Sequence, residues 1–201
     1  MNKRIVLSSM SIFASLALVT GATFAFFSDV GTSNDNVFAA GDLTLQLDDD
    51  NEPTFATNDD TVTASFGASD MAPGDSVTDF VSLHNGGSID IAEIELGANK
   101  TAGDDALADE LHLTVLTGAD SACTGGTDHT SAINTQIGGG VGPLTLAELI
   151  AADYDALPGL AVGADSFMCL TTEFDATAGD ALQGTSITVD VVFTAHQDAS
   201  Q

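Results

Sequence analysis

Apolar and polar residues alternate with a period of two along most of this chain. Such alternation is typical of a strand with one buried face, because successive side chains point to opposite sides of a sheet. Alternating runs cover residues 42–47, 61–66, 77–84, 111–116, 167–174 and 186–194. A further run contains Ile89, Ile91, Ile94 and Leu96, and its change of phase after Ile91 predicts a bulge. Seven or more strands with few long helices predict an all-β fold, an antiparallel β-sandwich.

Turn and helix signals occupy the intervals between these runs. Residues 71–75 place a proline and a glycine at the centre of a predicted type II turn. Residues 104–110 predict a short helix with acidic residues at its positive end. A capping box at residues 145–148 predicts a second helix that ends near residue 153. Residues 121–142 are rich in Gly, Thr and Ser, so we interpret them as an exposed loop. The predicted sandwich therefore carries one or two short helices in connecting loops.

The first 25 residues have the composition of a secretion signal. Lys3 and Arg4 form a charged leader, an apolar or small stretch runs from Ile5 to Val19, and small residues lead to a cleavage site after Ala25. The alternative is an uncleaved membrane anchor, but acidic residues rather than a basic stop-transfer cluster follow. We therefore predict a signal peptide at 1–25, an N-terminal segment at 26–41 and a β-sandwich domain at 42–198. Cleavage leaves a secreted chain with no stable membrane insertion.

The charge of the mature chain is extremely unbalanced. All thirty acidic residues lie beyond residue 25, where the single base is Lys100. This charge excludes nucleic acid as a partner, because the chain would repel phosphates and has no cations to replace their counterions. Two interpretations of the acidity remain, a solvated surface suited to high salt and divalent-cation binding by carboxylates. We favour the first, because hard-cation sites need convergent ligands rather than abundance.

The densest acidic run in the sequence, residues 48–52, is the one candidate for calcium binding. It resembles part of a calcium loop but lacks the glycine at the sixth position and the distal glutamate. A second acidic cluster, residues 58–60, would join the first only across a turn. The weak calcium candidates in the two clusters are Asp48, Asp50, Glu52, Asp59 and Asp60. We predict no cofactor, with calcium at these residues as the alternative.

Cysteines and histidines give little support for catalysis. In an exported chain, Cys123 and Cys169 favour a disulfide, which contributes about 4 kcal/mol in the chain-entropy model. The alternative is a pair of buried thiols. The four histidines form no His-Glu-x-x-His pattern, and there is no Gly-x-Ser-x-Gly elbow. We therefore predict that the protein is not an enzyme.

Several motifs together resemble a known family. Residues 23–29 and then 36–43 resemble the start of the TasA and camelysin family, whose members are exported with a dedicated type of signal peptide. The turns at 71–77 and 84–88 resemble the Pro-Gly-Asp and Asn-x-Gly-Ser turns of that family. Residues 105–115 are similar to its short helix before a strand, and residues 182–186 to its closing motif. Residues 117–165 have no matching motif.

The resemblance implies a jelly-roll sandwich that assembles into extracellular fibres of a biofilm matrix. It implies a self-assembling homo-oligomer, a dedicated signal peptidase during export, and a location in the extracellular matrix or at the cell surface. In such fibres the N-terminal segment of each subunit fills a groove in the next, by addition of a strand to an open edge. The donor side chains would be Phe26, Phe27, Val30, Val37 and Phe38. The sequence does not assign the acceptor edge.

Two other functions are consistent with the sequence. One is a secreted metallo-endopeptidase, because the name camelysin carries that label. The other is a cation-dependent adhesin or surface-layer accessory protein. The first requires a convergent cluster of histidine and carboxylate ligands, and the second requires an ordered carboxylate cage.

Overall fold

Two antiparallel sheets make up most of the structure, a computed structural model that describes residues 40–49 and 66–197. These residues belong to one compact unit, Ala40–Gln201. The strands in chain order are β1 (Leu45–Asp48), β2 (Ser76–Asn85), β3 (Glu93–Gly103), β4 (Leu111–Ala119), β5 (Thr127–Asp128), β6 (Tyr154–Pro158), β7 (Asp165–Phe174) and β8 (Ile187–His196). The predicted all-β antiparallel sandwich is confirmed.

The larger sheet has the order β1-β2-β7-β4-β5, with β7 at its centre. β7 pairs antiparallel with β2 on one side and with β4 on the other. The alternation of the sequence is kept along these strands. Met168 and Leu170 of β7 are buried in the core, whereas Glu173 is exposed on the opposite face.

The smaller sheet has the order β6-β3-β8, and the sequence misplaced the start of its central strand. Ile89 and Ile91 precede β3, which begins at Glu93 and extends to Gly103. Ile91 is instead buried in the connection, where its backbone N–H donates to the Leu160 carbonyl at 2.9 Å. The change of phase in the sequence therefore reflects the crossing between sheets. The register irregularities of β3 lie further along the strand.

The core lies between the two sheets and includes side chains from the helices. Ile133 and Leu149, which are both 0% exposed, belong to two of the helices. The strands contribute the remainder, including Val81, Leu83, Ile94, Leu96, Leu113, Val115, Met168 and Leu170. Burial of each such side chain stabilises the fold by about 1.5–3 kcal/mol relative to exposure.

The two predicted helices are confirmed, and each has a side-chain cap. Helix α1 (Asp105–Asp109) begins after Asp104, whose carboxylate accepts from the Ala106 N–H at 3.0 Å. Helix α3 (Leu146–Ala151) begins after Thr145, whose hydroxyl accepts from the Glu148 N–H at 3.3 Å. The Glu148 carboxylate accepts in return from the Thr145 N–H at 2.9 Å, which completes the capping box.

The prediction that residues 121–142 form an exposed loop was wrong. This stretch contains β5 and an eight-residue helix, α2 (Thr130–Ile137), so the described residues hold three α-helices rather than one or two. The amphipathic signal of α2 is weak because Ile133 and Ile137 are its only large apolar residues. Packing of Ile133 into the core stabilises a helix that intrinsic propensity would leave marginal.

Two turns of the sequence analysis have defined roles in the fold. The type II turn is present, because the Asp75 N–H donates to the Ala72 carbonyl at 2.9 Å and Gly74 has φ of +92°. Asn85, the last residue of β2, is 0% exposed, and both polar atoms of its side chain are paired. Its Nδ2 donates to the carbonyls of Ile89 (2.9 Å) and Leu160 (3.0 Å), and its Oδ1 accepts from the Gly87 N–H. Asn85 thus fixes the end of β2 against two connecting segments.

Part of the sequence analysis concerns residues that the structure does not describe. The predicted strand at 61–66 lies outside the described residues except for Phe66, and the predicted signal peptide lies outside them entirely. Within residues 40–49 and 66–197, none of the helices is long and apolar enough to cross a membrane.

Candidate functional site

The outer edge of β8 is the longest open sheet edge in the described structure. β8 has ten residues and pairs with β3 from Glu93 opposite His196 to Gly103 opposite Ile187. β3 is its only strand partner among the described residues. Among residues 40–49 and 66–197, no strand pairs with the N–H and C=O groups along the other side of β8.

The inner face of β8 is apolar but incompletely covered. Its inward side chains pack against the core and are each only half-buried: Ile187, Val189, Val191, Phe193 and Ala195. On the neighbouring strand β3, Ile94 and Leu96 are 1% and 0% exposed. The core is thus fully covered at the centre of the smaller sheet and partly exposed beneath its β8 edge.

The outward face of β8 has a different character. Thr188, Asp190 and Thr194 are exposed, and Val192 is 36% exposed. β8 therefore has one half-buried apolar face and one solvated face.

A disulfide joins Cys123 to Cys169 on the larger sheet. It anchors the segment between β4 and β5 to the middle of β7, beside Phe80 and Phe167, whose rings meet edge to face with centroids 5.5 Å apart. The adjoining turn is organised by Asp120, which accepts hydrogen bonds from the side chain and backbone of Thr124. These bonds lower the pKa of Asp120, because they stabilise its ionised form. The disulfide therefore ties this hydrogen-bonded turn to the larger sheet.

The four histidines, all of which the structure describes, lie on separate parts of the fold with separate partners. His84 contacts Asp165, His112 lies 3.3 Å from Asp175, and His196 lies 3.1 Å from Glu95. His129 bonds the Thr117 hydroxyl at 2.8 Å. Across residues 40–49 and 66–197, no group of three or more His, Cys, Asp or Glu side chains converges as metal ligands would.

One histidine pair affects the ionisation of its partner. The pKa of Asp175 is lowered, chiefly because its carboxylate accepts hydrogen bonds from the backbone and side chain of Thr177, and also because His112 is close. Asp175 is therefore held ionised where β7 ends. The pair links β4 to the segment after β7, which is a structural role.

The weak calcium candidates and the donor residues fall mostly outside the described structure. Asp48 ends β1 in the larger sheet, whereas Asp50, Glu52, Asp59 and Asp60 lie outside the described residues. The same holds for the donor side chains Phe26, Phe27, Val30, Val37 and Phe38. The structure thus describes the candidate acceptor, not the candidate donor.

The described residues form an antiparallel β-sandwich whose smaller sheet has β8 as one of its edge strands. Comparison with known proteins identifies the family of this chain. The family model described as camelysin metallo-endopeptidase matches residues 1–201, so the chain belongs to that family. The resemblance to the TasA and camelysin family is thereby confirmed.

A characterised relative comes from Bacillus subtilis (strain 168), where it is described as the major biofilm matrix component. The chain is 33% identical to it over 99 residues, which are 49% of this chain and 33% of the relative. The matched region therefore spans about a third of the length of that relative.

Proposed function

We propose that this chain is a secreted structural subunit that polymerises into extracellular fibres of a biofilm matrix. In this proposal the N-terminal segment 26–41 of one copy adds to the open β8 edge of the next. The observation that carries the proposal is the β8 edge, with a ten-residue row of backbone groups above a half-buried apolar stripe. Membership of the family and the matrix role of the bacterial relative support it.

The donor segment has the length and pattern that the edge requires. Ten residues of β8 span about 33 Å, and the thirteen residues from Phe26 to Phe38 would reach about 43 Å if extended. Phe26, Val30 and Phe38 occupy positions of the same parity, so an extended segment places them on one face. That face can cover the apolar stripe of β8, while the backbone of the donor pairs with its edge.

The acceptor edge is tested by two lysine substitutions on adjacent residues of β8. Val191 belongs to the inward apolar stripe, whereas Val192 faces outward. In V191K the ammonium group must be desolvated when a donor strand covers the stripe, so fibre yield is expected to fall by roughly tenfold or more. V192K carries the same charge change and should polymerise as the wild type does. Fibres are counted by electron microscopy and by pelleting at high speed.

Circular dichroism and thermal melting of both variants show whether they remain folded. If folded V191K forms fibres as efficiently as V192K, then β8 is not the acceptor edge.

The family description also names a metallo-endopeptidase, and the described residues do not fit such a metal site. A zinc centre of that class requires three protein ligands at one point, with an open position for water. Here each histidine engages its own partner on a different element, and no converging ligand set forms among the described residues. We therefore infer a structural rather than a catalytic role.

Purified mature protein is accordingly expected not to cleave casein, with or without added zinc. The physical reason is the separation of the candidate ligands, since a hydrolytic metal needs them together. The measurement is release of labelled casein fragments over hours, with a known metalloprotease as the positive control. Zinc-dependent cleavage that disappears in H84A or H112A would show that the protein is a peptidase.

A further inference from the structure

Three asparagines lie in the described residues, and one of them differs from the other two. Asn85 and Asn134 are 0% and 7% exposed, and the side-chain amide of each donates to a backbone carbonyl. Asn99, in contrast, is exposed on β3, and within residues 40–49 and 66–197 its side chain makes no hydrogen bond. Asparagine is depleted in strands, because its short polar side chain fits a pleated surface poorly. The fold itself therefore gives no reason for an asparagine at this position.

Asn99 is the first residue of the sequence Asn-Lys-Thr, residues 99–101. An asparagine followed two residues later by serine or threonine, with any residue except proline between them, is the acceptor motif for N-linked glycans in exported proteins. The full sequence contains eight asparagines, and only Asn99 has serine or threonine at the second position after it. The sequence thus offers a single attachment position for such a glycan.

The motif is accessible in the folded protein. Asn99 and Thr101 are both exposed. The Thr101 hydroxyl donates to the Thr188 carbonyl at 3.2 Å, at the register irregularity of β3. β6 pairs with β3 only as far as Leu96, so none of the described strands lies beside Asn99 on that side. A chain modified at Asn99 could therefore adopt the same fold without moving a strand.

The neighbours of Asn99 across the strand pair are open to solvent. Asn99 lies opposite Asp190 of β8, which is exposed on the outward face. The residues on either side of Asp190 on that face, Thr188 and Val192, are also exposed. Such diagonal neighbours lie about 7–8 Å from Asn99, within reach of an attached sugar. A glycan here would extend the solvated face of the smaller sheet and cover Val192, an exposed apolar side chain.

We propose that Asn99 carries an N-linked glycan, which a membrane-bound transferase adds during export. The glycan donor is a polyprenol lipid that holds its first sugar through a phosphate group. The bond from the anomeric carbon of that sugar to the phosphate oxygen breaks, and a bond from the same carbon to Asn99 Nδ2 forms. Nδ2 gives one proton to a base of the transferase, and the polyprenyl phosphate leaves with the bonding electrons. The Thr101 hydroxyl is the second group that the transferase recognises.

The inference relies on export of the chain and not on strand addition at β8. Asn99 lies on the other side of β8 from the open edge, and its side chain shares the outward face with Asp190. A donor strand would instead lie along the open edge and cover the inward apolar stripe. The glycan and the donor strand thus occupy different surfaces, so the two proposals can fail separately.

The test is the mass of one peptide from the mature protein, purified from the organism that makes it. Cleavage after glutamate releases residues 96–110, which contain the whole motif and end at Glu110. In the wild type this peptide should exceed the mass of its sequence by that of a glycan, and fragmentation should place the added mass on Asn99. N99Q and T101A should lose the added mass, whereas T101S should keep it because serine retains the hydroxyl.

T101A and T101S form the matched pair, since both keep Asn99 and Lys100 and differ in one hydroxyl. An unmodified wild-type peptide would overturn the proposal. Added mass that persists in N99Q or in T101A would overturn it as well, because the attachment would then be independent of the motif. Circular dichroism shows that the variants are folded. Folded N99Q should form fibres as the wild type does, and a loss of fibres would contradict the separation of the two surfaces.

Discussion

A chain that lacks residues 26–36 is expected to fold as a stable monomer and to form no fibres. The described sandwich belongs to a compact unit that begins at Ala40, so the deletion removes none of its strands. It removes Phe26 and Phe27, which together contribute about 3–6 kcal/mol when fully buried in a neighbouring copy. Electron microscopy tests whether fibres form, and analytical ultracentrifugation tests whether the truncated chain is monomeric. A truncated protein that polymerises normally would contradict donation by this segment.

A mixing experiment then distinguishes donor from acceptor. The truncated chain keeps the β8 edge but has no donor, whereas V191K keeps the donor and has a blocked edge. Neither should polymerise alone, and together they should form one-to-one complexes that do not grow further. Formation of long fibres in the mixture would show that assembly uses another surface. The V192K variant keeps both the donor and the β8 edge, so it should form fibres without the truncated chain.

The sequence was informative wherever one face of a strand is buried. β2, β4, β7 and β8 were placed to within about three residues, because their side chains alternate between core and solvent. The second half of β3, after Leu96, was not predicted, because Gly97, Asn99 and Lys100 interrupt the apolar alternation there. Its position is fixed instead by pairing with β8 along ten residue pairs.

Elements stabilised by tertiary contacts were the ones missed. The five residues of β6 include Pro158 and give no clear alternation, yet Tyr154 and Leu157 are buried. Burial of the Tyr154 ring also raises the pKa of its hydroxyl, with the neighbouring Asp155 charge acting in the same direction. Helix α2 was missed for the same reason, because it is stabilised by the packing of one buried residue, Ile133, into the core.

The candidate sites depend on pairing in three dimensions, which local patterns do not encode. Alternation identifies β8 as a strand with one apolar face, but only the sheet order shows that this strand lies at an edge. The packing of Asn134 and Glu148 against Gly138 was likewise hidden, because it requires α2 to exist and to end beside α3. The capping box at Thr145 was predicted, because both of its hydrogen bonds join residues three positions apart in the sequence.

Thermal stability and fibre yield are both expected to rise as sodium chloride increases from 0.1 to 1 M in the presence of a chelator. One base faces thirty acidic residues in the mature chain, so like charges oppose both the compact state and the approach of subunits. Over this range the Debye length falls from about 10 Å to about 3 Å, which screens most repulsion between exposed carboxylates. Melting temperature and the pelleted fraction measure the two effects.

The chelator separates this general screening from specific cation binding by carboxylates. When calcium is instead added at fixed ionic strength, screening alone predicts no further rise in melting temperature or fibre yield. Stability that is flat in sodium chloride yet rises with calcium would contradict the screening account, and would mean that bound cations rather than ionic strength hold this acidic sandwich together.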